Sequence, residues 1–146
     1  MWRIRPARKE DLPAIDALVA SVGGDREDLV TDQFLLAQEQ QQPEAAPDAQ
    51  QIIGCGRLKP YPGFCELASL MVREEWRVSG VGRELVSRLL ERHQGPVYLI
   101  CEDDVVDFFR RFGFRLIHMS EALPGLATKL ERYVAELGHM NVMRRD

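Results

Sequence analysis

An apolar run that ends in a glycine-containing turn, followed by a helix-forming segment, constrains this chain more than any other feature. The run covers residues 65–72, and its composition predicts a central β-strand. Residues 77–82 follow shortly after, with glycines at positions 80 and 82, and then apolar residues recur at helical spacing over 83–92. The segment therefore predicts a strand that leads into an amphipathic helix through a turn with little side-chain bulk.

The remaining sequence alternates between predicted strands and helices. Strands are predicted at residues 2–5, 34–37, 52–58, 97–101, 114–119 and 140–143, and helices at 10–22, 105–112 and 124–137. Residues 25–30 are predicted to form one or two helical turns, and residues 38–51, rich in Gln, Glu, Pro and Ala, to form a loop. This order predicts an α/β (α+β) fold in which a sheet has helices packed on its faces.

Length and composition restrict the class of protein further. With 146 residues the chain fits a single domain, residues 1–146, and its net charge of -4 argues against a nucleic-acid partner. No apolar run approaches the roughly 20 residues that span a membrane, and the basic N-terminus lacks the apolar core of a secretory signal. Cys55, Cys65 and Cys101 have no C-x-x-C spacing. We therefore expect a reduced, cytoplasmic protein without a metal.

The turn at residues 77–82 has the properties of a phosphate-binding site. A helix N-terminus exposes unpaired backbone N–H groups and a partial positive charge, both of which suit a pyrophosphate. Gly80 and Gly82 would let phosphates touch the backbone, and Arg77 and Arg83 would add cationic donors. The alternative is an ordinary connection whose glycines only allow close packing. A P-loop is excluded because the chain has no Gly-Lys pair, and Leu85 stands where a dinucleotide fingerprint needs its third glycine.

At these residues the sequence resembles the GNAT superfamily of N-acetyltransferases. R-x-x-G-x-G after an apolar strand is similar to the acetyl-CoA motif of that family. Residues 4–13 resemble its first strand and helix, residues 52–56 its third strand, and residues 108–114 its late F-Y-x-x-x-G-F element. The resemblance spans roughly residues 2–118 in the expected order, which an isolated G-x-G would not produce.

The resemblance implies a fold and a co-substrate. The fold would be a mixed, mostly antiparallel sheet of six to seven strands with helices on both faces and a splayed central strand pair. Backbone groups of Leu70, Met71 and Val72 would pair with the pantetheine arm of acetyl-CoA as with an added strand. The same edge would place a backbone N–H near the thioester carbonyl. The pyrophosphate cradle would comprise Arg77, Val78, Ser79, Gly80, Val81, Gly82 and Arg83.

Acetyl transfer to an amine requires a base, because the attacking nitrogen must lose a proton. Glu66 matches the position where many members of the family have a catalytic glutamate, and burial beside Leu67 and Leu70 would make it a stronger base. Two alternatives stay open: a solvent-facing glutamate at a strand end, and a carboxylate that binds the acceptor's ammonium without taking its proton. Ser69 is a further candidate for holding a water molecule or the acceptor.

The general acid departs from the family's pattern. Family members commonly have a tyrosine where this chain has Phe109, which reads as core together with Phe108 and Phe112. Either CoA leaves as a thiolate, or Tyr61 or Tyr133 supplies the proton. Two functions follow. One is an N-acetyltransferase that acts on a primary amine of a small molecule, an amino acid or a protein. The other is a non-catalytic acyl-CoA-binding domain.

The acceptor is not specified by any motif. The segments on the acceptor side, residues 20–33, 60–65 and 120–138, have no recognisable specificity pattern. Acidic residues in or near them (Asp25, Glu27, Asp28 and Glu66) would favour a cationic acceptor. We expect a small-molecule or peptide amine as the partner, no nucleic acid or membrane, and a chain that is compatible with a homodimer.

Overall fold

The computed structural model describes residues 1–21, 23–40 and 51–146. The strands within these residues are Trp2–Pro6 (β1), Phe34–Glu39 (β2), Ile52–Tyr61 (β3), Phe64–Val72 (β4), Val97–Cys101 (β5), Arg115–Ile117 (β6) and Asn141–Arg145 (β7). The α-helices are Leu12–Ser21 (α1), Val81–Glu91 (α2), Val106–Arg110 (α3) and Pro124–Leu137 (α4). The predicted strand–turn–helix segment is thus confirmed as β4, a connection and α2.

In the described part of the chain, the strands form one seven-stranded sheet in the order β1-β2-β3-β4-β5-β7-β6. The pairs β1–β2, β2–β3, β5–β7 and β6–β7 are antiparallel, whereas β4 and β5 are parallel. A turn at Pro62 and Gly63, where φ of Gly63 is 84°, joins β3 to its neighbour β4. The expected mixed, mostly antiparallel sheet is confirmed, as is the α/β fold class.

By its internal contacts the chain divides into two compact units. The first unit comprises Met1–Leu58 and Ala68–His93, and so includes α1, α2 and most of the β3 and β4 strands. The second unit comprises Lys59–Leu67 and Gln94–Asp146, with the end of β3, the beginning of β4, and everything from β5 onward.

The core of the first unit forms where α1 and the strands bury their apolar faces. The buried cluster consists of Ile15, Leu18, Val19, Phe34, Leu36, Ile52, Cys55 and Met71. Its α1 members recur at the three- and four-residue spacing that places side chains on one face of a helix. Helix α2 buries Val81, Leu85, Val86, Leu89 and Leu90 in the same way. Each helix therefore follows the apolar periodicity predicted from the sequence.

The core of the second unit is more aromatic. Its buried cluster consists of Phe64, Tyr98, Leu126, Leu130, Met140 and Val142. Tyr61 stacks on Phe64 with ring centroids 4.7 Å apart, and Phe64 meets Tyr98 edge-on at 5.1 Å. Helix α4 begins at Pro124 and ends before Gly138, as predicted, because proline suits the first helical turn and glycine suits the residue after the last one.

One local prediction is wrong, one is confirmed with shorter bounds, and one lies partly outside the described residues. Residues 25–30 are not helical: Asp28 has a φ of 49°, which interrupts a right-handed helix, and only Thr31–Gln33 form a short 3-10 turn. The strand predicted at 114–119 is confined to Arg115–Ile117, since a 3-10 turn occupies Met119–Glu121. In the loop predicted at 38–51, β2 continues through Glu39, and residues 41–50 lie outside the described residues.

The aromatic helix of the second unit is largely as predicted. Phe109 is buried, and Phe108 and Phe112 are half-buried. The ring of Phe108 makes edge-on contacts with the rings of Phe109 and Phe112.

Among the helices of the described residues, none combines the length and the apolar character that crossing a membrane requires.

Two glycines of β3 allow β4 and α2 to approach closely, and they differ in what a side chain would meet. A Cβ at Gly54 would lie 3.0 Å from the backbone oxygen of Met71 and 3.2 Å from Val81 Cγ1. A Cβ at Gly56 would lie 3.0 Å and 3.1 Å from the terminal methyl groups of Leu89 and Leu70. Methyl groups at the ends of leucine side chains can move aside, whereas a strand carbonyl cannot.

We therefore expect Gly54→Ala to destabilise the protein by about 1–3 kcal/mol, the usual cost of overpacking a core. Gly56→Ala is the matched control, because it makes the same change on the same strand, and we expect a smaller loss. Urea unfolding monitored by circular dichroism measures both. Equal losses, or a larger loss at Gly56, would contradict the role of the Met71 carbonyl.

Candidate functional site

The beginning of α2 is built to present backbone N–H groups. Gly80 is the N-cap residue with a φ of 87°, a left-handed conformation that glycine adopts without steric cost. No side chain caps this helix, and its first backbone bond runs from Glu84 N–H to the Gly80 carbonyl at 3.1 Å. A Cβ built on Gly80 would meet nothing within 4 Å. The N–H groups at the start of the helix have no acceptor within the helix itself, and such groups suit an anion.

The residues before Gly80 form a turn closed by their own hydrogen bonds. Ser79 Oγ donates to the Trp76 carbonyl at 2.5 Å, and Ser79 N–H donates to the same oxygen at 3.2 Å. Arg77 Nε donates to the Val72 carbonyl at 3.2 Å, so Arg77 links the turn to the end of β4. Val78 is 98% exposed, and the side chain of Arg83 is also exposed. Of the two predicted cationic donors, Arg83 is the one on the first turn of α2.

The backbone of β4 changes conformation at Ser69. Its φ is 53°, in the left-handed region that non-glycine residues rarely adopt in a strand. The residue is buried, and its hydroxyl donates to the Asp25 carbonyl at 2.7 Å. Ser69 therefore makes an internal contact at the position where the sequence suggested a group that holds water or the acceptor.

The three residues after Ser69 were predicted to pair with pantetheine. Met71 is buried, and Leu70 and Val72 are half-buried. The parallel pairing described for β4 with β5 comprises Cys65↔Val97 and Glu66↔Tyr98, which precede this stretch of the strand.

Glu66 lies at the beginning of β4 with 2% of its surface exposed. Lys129 Nζ donates to its Oε2 at 2.6 Å, and Tyr61 donates its hydroxyl to Oε1 at 2.9 Å. The solvent-facing alternative for Glu66 is therefore wrong. The carboxylate is buried with a cation and a phenol directly on its two oxygens.

Lys129 is the partner that sequence reasoning missed. It lies on α4 with its side chain 7% exposed, and its ammonium is 5.6 Å from the centre of the Tyr133 ring. Glu66 and Lys129 are 63 residues apart, so no local pattern connects them. A signal did exist: Lys129 falls between Leu126 and Leu130 on the buried stripe of α4, where a charge requires a partner.

Asp25, singled out from the sequence as an acidic residue near the acceptor side, is buried as well. Its carboxylate lies 3.0 Å from the guanidinium of Arg57, and neither side chain is exposed by more than 3%. Arg57 is the second residue that the sequence did not identify. In the sequence, Arg57 fits the alternation of a strand, and nothing in that pattern indicates a contact with the segment between α1 and β2.

The cysteines are unsuited to nucleophilic chemistry. All three are free and buried. Burial raises the pKa of the Cys55 thiol to about 12 and, with nearby carboxylates, that of Cys101 to about 11. A thiol with so high a pKa is protonated near neutral pH, and the thiolate is the reactive form. In residues 1–21, 23–40 and 51–146, no group of three or more His, Cys, Asp or Glu side chains is arranged to hold a metal.

The chain matches the model of the acetyltransferase (GNAT) family over residues 10–114. This match covers more than half of the 146 residues and includes β4, the cradle and α2. The chain therefore belongs to the GNAT acetyltransferase family.

Several solved structures share the fold of this chain. The chain is similar to N-acetylglutamate synthase from Neisseria gonorrhoeae, complexed with coenzyme A and N-acetyl-glutamate, with 21% identity and a TM-score of 0.74. That match covers 99% of this chain and 35% of the gonococcal chain, so this chain spans about a third of that protein.

Two further similar structures match over nearly their whole length. Rv2747 from Mycobacterium tuberculosis, in complex with CoA and NLQ, has 20% identity and a TM-score of 0.74, with 98% of each chain covered. Escherichia coli ElaA has 21% identity and a TM-score of 0.68, with 100% of this chain and 99% of that chain covered. At these identities the likeness establishes the fold.

The buried Glu66–Lys129 pair makes a prediction about stability. Lys129→Met leaves a buried carboxylate without its cation, and removing one partner of such a pair typically costs about 3–5 kcal/mol. The double variant Glu66→Leu with Lys129→Met removes both charges, so we expect it to be more stable than the single variant. Chemical unfolding of the two proteins measures the difference.

The control is Arg110→Met, which breaks the exposed pair between Arg110 and Asp107 at 2.9 Å. An exposed pair contributes at most about 1 kcal/mol, so this variant should unfold close to the wild type. A Lys129→Met protein as stable as the Arg110→Met control would show that Lys129 does not neutralise Glu66.

Proposed function

We propose that this protein is an N-acetyltransferase that moves the acetyl group of acetyl-CoA to a primary amine by direct attack. One observation supports this function above all: α2 begins at a left-handed glycine, at the end of the connection that follows β4, in a chain of the GNAT family. We treat residues 1–146 as one transferase domain that acts in the cytoplasm without a metal.

In this proposal the first unit binds the co-substrate. The backbone N–H groups of Gly80, Val81 and Gly82 receive the pyrophosphate, with Arg83 adding charge. Arg77, Val78 and Ser79 shape the turn that precedes them, and Leu70, Met71 and Val72 offer backbone groups to pantetheine. The contact from Arg77 Nε to the Val72 carbonyl supports this arrangement, because it ties the turn to the strand end. The CoA in the similar gonococcal and mycobacterial structures is consistent with it.

Glu66 is the proposed catalytic carboxylate. The amine nitrogen forms a bond to the acetyl carbon, the carbon–sulfur bond breaks, and the proton that the amine loses must be accepted by a base. Both oxygens of Glu66 already accept hydrogen bonds, so the proton would reach Glu66 by replacing one of these contacts or through water. The alternative in which Glu66 binds the acceptor's ammonium would require that ammonium to compete with Lys129.

The charges around the acceptor are more balanced than the sequence suggested. Asp25 and Glu66 each have a buried cation within 3.0 Å. Two of the four acidic residues that favoured a cationic acceptor are therefore already neutralised by internal ion pairs. We therefore propose a primary amine of a small molecule, an amino acid or a peptide, without a requirement for further positive charge. The gonococcal structure complexed with N-acetyl-glutamate makes amino acids a sensible first panel.

One residue, Phe109, supports a second function, the non-catalytic binding of acyl-CoA. Phe109 has no hydroxyl, so it cannot protonate a departing thiolate as a tyrosine would. A chain with a cradle and no proton donor would serve as a non-catalytic acyl-CoA-binding domain. Tyr61 weighs against this alternative. Its hydroxyl donates to Glu66 Oε1 at 2.9 Å, so a phenol that could supply the proton for the departing thiolate lies beside the proposed base.

Acetyl-CoA should raise the melting temperature of the wild type, because a ligand at one hundred times its Kd stabilises the folded state by about 2.7 kcal/mol. The double variant Gly80→Val with Gly82→Val should lose this shift, since side chains would then fill the cradle. Gly138→Val is the control: its φ is 88° and a Cβ there meets nothing within 4 Å, so it introduces similar strain outside the cradle. A normal shift in the double variant would contradict the cradle assignment.

Release of CoA thiol in the presence of a panel of amines tests the transfer itself. Glu66→Gln should lower kcat by about 10²–10⁴, the usual contribution of a positioned base. Glu91→Gln, at the exposed C-terminal end of α2, is the matched control and should keep the wild-type rate. An unchanged rate in Glu66→Gln would exclude Glu66 as the base. Thermal stabilisation without thiol release from any amine would favour the binding-only function.

A further inference from the structure

A fully buried arginine organises the segment between α1 and β2. Arg57, on β3, has no exposed surface. Its Nη1 donates to the Asp28 carbonyl at 2.9 Å, and its Nη2 donates to the Glu27 carbonyl at 2.9 Å and the Asp25 carbonyl at 3.4 Å. The carboxylate of Asp25 lies 3.0 Å from Nη2 as well. One guanidinium therefore binds three backbone carbonyls within residues 25–28 and the Asp25 carboxylate, and its Nη1 also donates to Gln33 Oε1 at 3.3 Å.

Residues 25–28 are shaped by these contacts. The N–H of Glu27 donates to Asp25 Oδ1 at 2.9 Å, which closes a tight turn, and Asp28 has a φ of 49°. The planar guanidinium suits this task because its five N–H groups point in fixed directions and can reach several acceptors at once. A lysine has the same charge but only one nitrogen, so it could not hold the same set of carbonyls.

The same segment reaches the strained residue of β4. The Asp25 carbonyl, which accepts from Arg57, also accepts from Ser69 Oγ at 2.7 Å. Ser69 has its φ of 53° at this point, and such a conformation persists only where surrounding contacts fix it. The hydrogen bond to Asp25 is such a contact. Ser69 is followed by Leu70, the first residue whose backbone is proposed to pair with pantetheine.

We propose that Arg57 is a positioning residue: through residues 25–28 and the Ser69 hydroxyl, it fixes the backbone of β4 where the thioester is to be held. This role rests on the proposed function, which assigns the thioester to this part of β4. The Asp25 carbonyl accepts from both Arg57 and Ser69, so Arg57 connects the acceptor-side segment to the strand proposed to hold the thioester. Ser69 contributes both a hydroxyl and a strained backbone, and the effect of losing the hydroxyl can be measured separately from the effect of relieving the strain.

Three variants separate these effects. Ser69→Ala removes the hydroxyl and keeps the steric penalty of positive φ, so β4 loses the contact that holds its conformation. Ser69→Gly also removes the hydroxyl, but glycine adopts positive φ at no cost. Arg57→Lys keeps the charge beside Asp25 and loses the fork. The matched control is Ser21→Ala, since Ser21 Oγ likewise donates to a backbone carbonyl, that of Leu18 at 2.6 Å.

Hydrogen exchange measured by mass spectrometry reports on the coupling without any assumption about activity. Amides of residues 23–33 should exchange about fivefold faster in Ser69→Ala, Ser69→Gly and Arg57→Lys, as expected for the loss of one buried hydrogen bond. Ser21→Ala should leave this segment at the wild-type rate. Unchanged exchange in both Ser69 variants would overturn the proposed coupling.

Steady-state kinetics tests the positioning role. In Ser69→Ala, kcat should fall about fivefold to tenfold, while in Ser69→Gly it should stay within about twofold of the wild type, because the backbone can still adopt its conformation. KM for the amine should rise in both, since both release the acceptor-side segment. Equal kcat values for the two variants would overturn the positioning role while leaving the transferase function intact. A wild type that releases no thiol with any amine would instead overturn the proposed function, and the positioning role with it.

Discussion

The contacts of the buried Arg57 guanidinium with residues 25–28 are the interactions on which the arrangement of the first unit depends most. A charged group with five N–H donors and no exposed surface can find acceptors only within the protein, and each donor left unpaired in a low-dielectric interior costs free energy. The carbonyls of residues 25, 27 and 28 and the side chains of Asp25 and Gln33 lie against Nη1 and Nη2, whereas Nε has no hydrogen-bond partner among the described residues. The α1–β2 segment turns these carbonyls inward instead of forming a helix. The Phe34 ring lies beneath the guanidinium, 5.3 Å from its carbon, and completes the enclosure. Strand β3 thereby sets the conformation of a segment that precedes it in the chain.

The same rule operates in the second unit with different residues. Burying Glu66 requires a cation, and α4 supplies it by placing Lys129 on its otherwise apolar stripe. This pairing changes the chemistry that the glutamate can perform. Each of its oxygens already accepts from a donor, Oε2 from the Lys129 ammonium and Oε1 from the Tyr61 hydroxyl. For Glu66 to act as the base, the incoming amine or a water must therefore alter its contact with Lys129 or Tyr61. Proton transfer and acceptor binding would then be linked at one pair of side chains.

Features that depend on neighbours in the sequence were predictable. The period of apolar residues located α1, α2 and α4, proline and glycine marked both ends of α4, and the glycines after an apolar strand marked the beginning of α2. Features that depend on distant residues were not predictable. The segment at 25–30 has a composition compatible with a helix, but its carbonyls accept from Arg57, a residue about 30 positions away, and Asp28 has a φ of 49°. Likewise, Glu66 could be placed by resemblance, but its partner is 63 residues away.

This division explains why the donor is easier to infer than the acceptor. A pyrophosphate site of the proposed kind needs a helix N-terminus and small residues, which are properties of one short stretch of chain, and α2 begins after the left-handed Gly80. Recognition of an amine depends on the net charge that survives after internal pairing, and that quantity cannot be counted along a sequence. Asp25 and Glu66 look identical to exposed carboxylates in the sequence, yet each is held by a buried cation. A count of acidic residues therefore overestimates the preference for a cationic acceptor. In the first unit, Arg57 holds both the Asp25 carboxylate and the backbone of residues 25–28, so this acidic residue serves an internal contact.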